Sequence, residues 1–433
     1  MLLALRQRDF ALLWLGSLLS TIGDWVLFAI LPFFVYQETG SPVATGLMLI
    51  AQVVPPAFFG SLAGTLVDRW DRRWTMIGCN LARAAILLIL LMVPSTGWSV
   101  PVYAVAFLLS LCAQFFTPAR SALIPDVVPR DALVGANSLD ALIGAVTRLV
   151  APAVGGVLLT IYGLGSVVSV DIATFLVSAV CVALIRHRPR AASVDPRPRP
   201  VVAGWRLLWM EHIDGLRQFS RHRPLIMLLA VNAAVSLSYG IGNVLLIVFV
   251  RDTLQGNAMD FGVVSSAQAV GGICAAIALG ALGSRLPLNA TLGVALLLVG
   301  GILFVAFGQT SVPAVVLLLG LSGAPITTTF ITFQTRIQSA VSGEYRGRAF
   351  GLIGLTGSVA MFAGIGTASV ATVWTGPGIL LQGSAILYAL MGMLVLVSRE
   401  SQPLGQDRSP GITPTSPRQA HHNSGRSGIP RRG

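Results

Sequence analysis

The pattern of apolar and polar positions along the chain consists of long apolar runs separated by short polar segments. A helix that spans a bilayer needs about 20 apolar residues, because the hydrocarbon is about 30 Å thick and each residue rises about 1.5 Å. Several connectors are very short, so neighbouring helices are expected to run antiparallel. The runs predict twelve spanning helices, at 10–36, 43–67, 74–94, 100–123, 134–160, 166–186, 224–250, 261–283, 289–308, 312–335, 347–372 and 378–397.

The longest polar connector divides the predicted helices into two sets of six. We therefore predict an N-terminal bundle at 1–186, a linker at 187–223, a C-terminal bundle at 224–399 and a tail at 400–433. Within the linker, residues 204–222 fit either an amphipathic helix on the membrane surface or an extension of the seventh helix. The tail is rich in Ser, Pro, Gly and Arg, a composition that predicts disorder.

The composition supports a membrane protein. Apolar residues make up 54% of the 433 residues and charged residues only 11%, whereas a typical soluble protein has about 25% charged residues. So few charges cannot cover a soluble surface of this size. The sequence predicts an all-α, multi-pass protein of the cell's inner (cytoplasmic) membrane.

The basic residues predict the orientation. All 29 are arginines, and the formal net charge is +12. With both termini in the cytoplasm, 26 fall on the cytoplasmic side, only Arg251 falls outside, and Arg83 and Arg148 lie within spans. Because the arginines occupy connectors between apolar runs, we expect them to face anionic membrane lipid and predict no nucleic-acid partner.

No catalytic or metal-binding pattern is visible. The four cysteines lie in apolar runs without metal-ligand spacing, and all five histidines fall in the linker or the tail. The chain has no HExxH motif, and without lysine it cannot form a P-loop. We predict that the protein is not an enzyme and holds no metal or cofactor.

One connector carries a recognisable charge motif. Residues 64–73 read GlyThrLeuValAspArgTrpAspArgArg, and the equivalent connector of the second half, 280–285, reads GlyAlaLeuGlySerArg. The first segment resembles the signature loop of the major facilitator superfamily, with matches at Gly64, Asp68, Arg69, Arg72 and Arg73; Asp71 replaces the usual glycine. Such charges can form a network between the two halves that gates a conformational change. The alternative is a basic loop that only sets topology, which leaves Asp68 unexplained.

Further segments resemble the branch of that superfamily that contains macrolide-efflux pumps and enterobactin-type siderophore exporters. The matching segments are 8–16 with GlyAsp at 23–24, PheThrProAlaArgSerAlaLeuIlePro at 116–125, AlaAsnSerLeu at 136–139, AspIleAlaThrPheLeu at 171–176 and GluTyrArgGlyArgAlaPhe at 344–350. The resemblance implies two six-helix bundles, alternating access and an export role.

The fifth predicted helix contains AlaProAlaValGlyGly at 151–156, which resembles the antiporter signature of proton-coupled exporters. Its first position is Ala151 instead of the usual glycine. Pro152, Gly155 and Gly156 are candidates for a hinge or a seal, since glycines allow close helix approach. Ordinary glycine-mediated packing is the alternative.

Charged residues inside spans are the candidates for coupling chemistry, because each is costly in a bilayer. Asp24 and Arg148 lie near the middle of the first and fifth helices. We hypothesise that they interact and that Asp24 takes up and releases the coupling proton. Asp171, in the outer part of the sixth helix, is a second proton-coupling candidate; alternatively it accepts structural hydrogen bonds from a neighbouring helix.

Embedded amides are candidates for a polar cavity lining, and each is equally able to join helices by hydrogen bonds. The candidates are Gln52, Gln114, Asn232, Asn243 and Gln268.

Together these features predict a monomeric secondary transporter, with membrane lipid, protons and a small-molecule substrate as its partners. We expect a proton-coupled exporter of a small, largely apolar molecule such as a drug, a macrolide or a siderophore-like metabolite, and a cationic or zwitterionic group also fits. The alternatives are an importer, or a non-transporting receptor or partner protein of the same fold.

Overall fold

The structure is a computed structural model that describes residues 2–92, 99–186, 223–282, 286–340 and 346–398. The predicted surface helix at 204–222 and the predicted disordered tail at 400–433 lie outside these ranges. In the described residues the fold is entirely helical, without strands.

The helices follow the apolar runs closely. They are α1 (Leu2–Leu5), α2 (Arg8–Thr39), α3 (Pro42–Val67), α4 (Arg72–Met92), α5 (Ser99–Val127), α6 (Leu133–Ala183), α7 (Arg223–Val248, continued by a π-helical turn at Phe249–Thr253), α8 (Ala258–Leu282), α9 (Leu288–Ala306), α10 (Val312–Ala340), α11 (Arg346–Thr375) and α12 (Pro377–Val397). Eleven of them are long and apolar enough to cross a membrane within the described ranges. Because α6 contains two spans, the predicted number of about twelve is confirmed.

Short connectors turn the chain between neighbouring helices. After α2, Gly40 adopts φ 60° and its N–H bonds to the carbonyl of Tyr36 at 2.8 Å. This left-handed conformation is the usual end of a helix and favours glycine. Ser41 then caps α3 by accepting the N–H of Ala44 at 3.3 Å, and Pro42 occupies the first helical turn.

The bend in α6 occurs where the sequence predicts a connector between the fifth and sixth spans. Gly163 has φ 76° and ψ 177°, and the helix changes direction there. This backbone region is essentially restricted to glycine. The two arms of α6, residues 133–162 and 164–183, therefore act as separate spans.

Replacing Gly163 with alanine is expected to destabilise the protein by about 1–3 kcal/mol, because a Cβ is strained at that backbone conformation. Gly165→Ala is the matched control, since Gly165 is helical and nothing lies within 4 Å of the position its Cβ would take. Thermal unfolding of the purified variants in detergent would measure the difference. Equal unfolding temperatures for both variants would contradict the assigned strain.

Small residues allow the helices of the second bundle to approach closely. A Cβ at Gly240 would overlap the carbonyl of Met361, which joins α7 to α11, and one at Gly271 would overlap the carbonyl of Gly320, which joins α8 to α10. Such close contacts replace the hydrophobic effect as the source of helix association in lipid. The second bundle therefore depends on backbone-to-backbone packing.

The two bundles meet at one end of the molecule. We call the end where α6 finishes and α7 starts the linker end, and the opposite end, which contains Thr39 and Ala258, the far end. At the far end, Tyr36 Oη donates to Asp252 Oδ2 at 2.5 Å, and Phe33 stacks on Phe261 with ring centroids 5.2 Å apart. The backbone N–H of Met259 also donates to the hydroxyl of the exposed Thr160 at 3.1 Å.

The helices separate towards the linker end. At the linker end the buried apolar residues form two separate clusters, one within each bundle, whereas at the far end a single cluster spans both bundles. The described residues thus enclose a cleft between the bundles that is sealed at the far end and open at the linker end. Which side of the membrane each end faces stays a prediction from the arginines.

Candidate functional site

The centre of the first bundle contains an ion pair between α2 and α4. Arg83 Nη1 donates to Asp24 Oδ2 at 3.0 Å. The Arg83 side chain is 1% exposed, whereas that of Asp24 is 27% exposed. The carboxylate is therefore the member of the pair that water or a ligand can reach.

Aromatic rings complete the surroundings of Arg83. Its guanidinium carbon lies 4.9 Å from the ring centroid of Phe116 on α5 and 5.3 Å from that of Phe175 on α6. Cation–π contacts of this kind favour the charged side chain in a site with little water. Arg83 Nε is buried without a hydrogen-bond partner, so part of the hydrogen-bonding capacity of Arg83 is unused.

A second carboxylate lies beside the pair. Asp171 on α6 is 1% exposed, and Thr174 Oγ1 donates to its Oδ1 at 3.0 Å, while Oδ2 has no partner. A Cβ at Gly23 would overlap Oδ1 of Asp171, so the absence of a side chain at position 23 makes room for the carboxylate. Asp171 therefore packs directly against the residue before Asp24. The side-chain hydrogen bond to its Oδ1 comes from Thr174 of its own helix, not from a neighbouring one.

The hypothesis that Asp24 pairs with Arg148 is wrong. Asp24 faces α4 and pairs with Arg83, while Arg148 is exposed and forms no ion pair with a described residue. The guanidinium of Arg148 instead folds back to 4.0 Å from the position of a Cβ on Gly144. The two residues lie at similar depth, but their helices turn them in different directions.

Other polar contacts of the first bundle fix its helices. Arg120 on α5 bridges to Asp140 on α6 at 3.3 Å. Asn80 Nδ2 on α4 donates to Ser178 Oγ on α6 at 2.9 Å, and both residues are fully buried. These contacts hold α4, α5 and α6 around the Asp24–Arg83 pair.

The charges of the connector after α3 bond within the first bundle in this conformation. Arg72 bridges to Asp126 at 2.5 Å, and Arg73 donates to the carbonyls of Val182 and Ala183 at the end of α6. Asp68 and Arg69 are exposed and form no ion pair with a described residue. The proposed network between the halves is therefore not formed here, as expected for bundles that are apart at this end. Arg285, in the equivalent connector, lies outside the described ranges.

Asp71, which replaces the glycine of the signature, has a local role. Its Oδ1 accepts the backbone N–H of Trp74 at 2.9 Å. An aspartate in this position satisfies a free N–H at the start of a helix. The departure from the signature thus strengthens the start of α4.

The AlaProAlaValGlyGly motif at 151–156 lies in the first arm of α6, at the far-end contact between the two bundles, which we call the seal. Gly155 packs within the first bundle, where a Cβ would lie 2.6 Å from Ile30 Cγ1 of α2. On the other side, a Cβ at Gly156 would overlap the carbonyl of Ala258, and the carbonyl of Pro152 occupies the space beside Gly262 of α8. The motif therefore combines ordinary packing within one bundle with a seal between the two.

Most of the amides predicted to line a cavity bond to helices instead. Gln52 is buried and donates to the carbonyl of Phe28 at 3.3 Å; Asn232 donates to that of Ile353 at 2.9 Å. Gln268 donates to Ser322 Oγ at 3.4 Å, while Gln114 and Asn243 donate to carbonyls of their own helices. The interhelical alternative therefore describes Gln52, Asn232 and Gln268.

Sequence reasoning missed Arg83 as a member of the site. The available signal was its position near the middle of α4, where an arginine requires a partner. It also missed the bond between Tyr36 and Asp252, which no sequence pattern indicates. Among the described residues, no group of three or more His, Cys, Asp or Glu is placed to hold a metal ion.

Comparisons with known proteins agree with this architecture. A sequence profile of the Major Facilitator Superfamily matches residues 13–365. The chain is 26% identical over 377 residues to macrolide efflux protein A of Streptococcus pyogenes, covering 83% of this chain and 88% of that protein. It is 25% identical over 403 residues to the uncharacterized MFS-type transporter YfiS of Bacillus subtilis, covering 91% and 94%.

Solved structures share the fold at low identity. A bacterial homologue of the iron transporter ferroportin, in an inward-facing state, superposes with a TM-score of 0.71 at 17% identity, covering 90% of this chain and 99% of that one. The peptide transporter POT in complex with sulfate gives a TM-score of 0.71 at 13% identity, covering 90% and 94%. At these identities the similarity concerns the fold alone.

Proposed function

The chain belongs to the Major Facilitator Superfamily, and on that premise we propose that it is a proton-coupled exporter of a small, largely apolar molecule. The protein is a membrane-embedded transporter and not an enzyme. The direction, the coupling ion and the substrate class are our proposals. Export is supported by the similarity to macrolide efflux protein A over most of both chains.

The observation that carries proton coupling is the Asp24–Arg83 pair. It joins a partly exposed carboxylate to a fully buried cation at the centre of the first bundle. Protonation of Asp24 would remove its negative charge and leave Arg83 without a charged partner 3.0 Å away. Because a buried unpaired charge is costly, proton uptake would change the relative stability of the two transport conformations.

The cycle we propose uses the cleft directly. With the termini in the cytoplasm, this conformation is open to the cytoplasm and takes up substrate there. In the opposite conformation, which is open to the outside, a proton binds Asp24 Oδ2 and drives the return to the cytoplasm-open conformation. The proton then leaves to the cytoplasm. Asp171 is buried against Gly23, next to Asp24 in the chain, and in the proposed cycle it responds to the charge of Asp24.

Transport by pump-deficient bacteria tests the proposal. Cells that express the protein are expected to accumulate less of a macrolide, a cationic lipophilic dye or an acidic lipophilic dye than cells with the empty vector, and an uncoupler should abolish the difference. The reason is that a secondary exporter works only while the proton gradient exists. The measurement is steady-state accumulation of each compound with and without uncoupler.

Three outcomes would contradict the proposal. Higher accumulation with the protein would indicate import, and uncoupler-resistant export would exclude the proton gradient as the energy source. No change for any compound, with the protein shown in the membrane by immunoblot, would favour a receptor or partner role.

A further inference from the structure

We propose that Arg148 binds an acidic group of the transported molecule at the closed end of the cleft, so that the substrates are apolar molecules with a carboxylate or a similar anion. This inference deepens the proposed transport function and rests on it. It also replaces the sequence-based expectation that a cationic group fits the substrate.

Arg148 lies on the cleft side of α6. It is one helical turn before Pro152, and the two residues share a face because side chains four apart lie above one another. Pro152 contacts Gly262 of the second bundle at the seal. One turn nearer the open end, Arg148 is exposed, so its guanidinium extends into the space where the bundles separate.

Apolar side chains of α2 lie at the same depth. Gly155 packs against Val26 and Ile30, and both helices run in the same direction from the linker end. Seven residues earlier, Arg148 therefore lies near the level of Ile22 on α2. This part of the cleft combines a cation with an apolar wall.

The same wall faces the second bundle. Ile22 is eleven residues, close to three turns, before Phe33, and Trp25 is eleven before Tyr36. Phe33 and Tyr36 both contact the second bundle at the seal. Ile22 and Trp25, which are half-buried, therefore point across the cleft and offer an apolar surface beside Arg148.

The charge of Arg148 is not matched by the protein in this conformation. The other two arginines in the centre of the first bundle have carboxylate partners, Arg83 with Asp24 and Arg120 with Asp140. Arg148 has no such partner within 4.0 Å among the described residues. Its guanidinium donors are free for a ligand in the cleft.

The acids of the opposite wall, Asp252 and Asp260, lie at the far end, where they accept hydrogen bonds from Tyr36 and from the backbone N–H of Asn257. Between Phe261 and Arg399 the sequence contains a single acidic residue, Glu344, in the connector between α10 and α11. When the linker end closes, Arg148 is enclosed against the middle of these helices, where the sequence has no carboxylate. A charge in that position requires compensation, because an enclosed unpaired charge is costly. A substrate anion supplies it and makes closure depend on loading.

Equilibrium binding of a matched dansyl series tests this inference. Dansylglycine carries a carboxylate, dansylglycinamide is its neutral analogue, and dansylcadaverine is a cation. Binding to purified protein in nanodiscs is followed by dansyl fluorescence, without any ion gradient. The wild type should bind the acid best, and Arg148→Gln should weaken acid binding about tenfold to hundredfold, the usual range for a charged hydrogen bond.

Two variants separate recognition from structure. Arg148→Lys should restore part of the acid binding, because the charge remains while the planar fork is lost. Arg8→Gln, which removes an exposed arginine at the start of α2, should leave binding of all three probes unchanged. Arg148→Gln itself should leave binding of the neutral amide unchanged, which a folding defect would not.

The inference is overturned if the wild type prefers the amide or the amine, or does not bind the acid up to about 1 mM, the upper end of ordinary substrate affinities. It is also overturned if Arg148→Gln affects acid and amide equally. Because no gradient is present, these results do not depend on proton coupling. Failure of coupling at Asp24 would therefore be seen separately, in the transport assay.

Discussion

Gly156→Val is expected to open the far end of the protein and to abolish transport. A side chain at position 156 would overlap the backbone carbonyl of Ala258, and a backbone atom cannot move aside as a flexible side chain can. Overpacking of this kind costs about 1–3 kcal/mol, which shifts a two-state equilibrium about 5- to 150-fold. The clash exists only where α6 meets α8, so the variant should favour the conformation in which the far end is open.

Distances between spin labels at the far end measure this shift. Glu38 and Thr310 are exposed, lie in different bundles and are suitable for labelling after replacement of the four native cysteines. The parent protein should give a short distance, and Gly156→Val should add a longer one. A distribution identical to that of the parent would refute the assignment of Gly156 to the seal.

Gly301→Val is the control for this experiment. Gly301 lies in α9, and a Cβ there would have nothing within 4 Å. The same substitution at this position should change neither the distance distribution nor transport. A similar loss of transport in both variants would indicate a general intolerance of valine in these helices.

The sequence predicts the helices well because the bilayer leaves the chain few alternatives. A backbone in hydrocarbon must satisfy its own hydrogen bonds, so each apolar run of sufficient length becomes a helix. The connector at 162–165 is also predicted, although α6 continues through it with a bend at Gly163. Depth in the membrane follows from counting residues, and Asp24 and Arg148 both lie near the middle of their helical spans.

The partners of these charges could not be predicted in the same way. Depth depends on one helix, whereas pairing depends on the direction of a side chain and on which helices are neighbours. Asp24 points to α4 and Arg148 to the cleft, so equal depth does not bring them together. Gln52 shows the same limit, since an embedded amide fits a cavity wall or a bond to Phe28 equally well in sequence.

In the proposed mechanism, proton binding and substrate binding take place in two separate regions of the protein. The Asp24–Arg83 pair is enclosed by α2, α4, α5 and α6 of one bundle, whereas Arg148 faces the space between the bundles. A proton bound in the first region and a substrate bound in the second would communicate through α2 and α6, which pack along each other. This arrangement allows proton and substrate to bind without competing for one side chain.

Asp24→Asn is expected to remove uncoupler-sensitive transport completely. The variant keeps the shape of the side chain but cannot exchange a proton, so the gradient would no longer drive the cycle. It also leaves Arg83 buried without a charged partner, which costs about 3–5 kcal/mol for an enclosed pair and less where one partner is partly exposed, as Asp24 is. Accumulation assays with and without uncoupler measure the first effect, and thermal unfolding measures the second.

The double variant Asp24→Asn/Arg83→Gln separates coupling from folding. Because it removes both charges, it should recover much of the stability lost by Asp24→Asn, as neutral replacements of buried pairs often do. Transport should nevertheless stay absent, since the proton acceptor is missing. Glu38→Gln, at the exposed end of the same helix, should retain full activity. A stable double variant that still lowers substrate accumulation in an uncoupler-sensitive way would show that Asp24 does not carry the coupling proton.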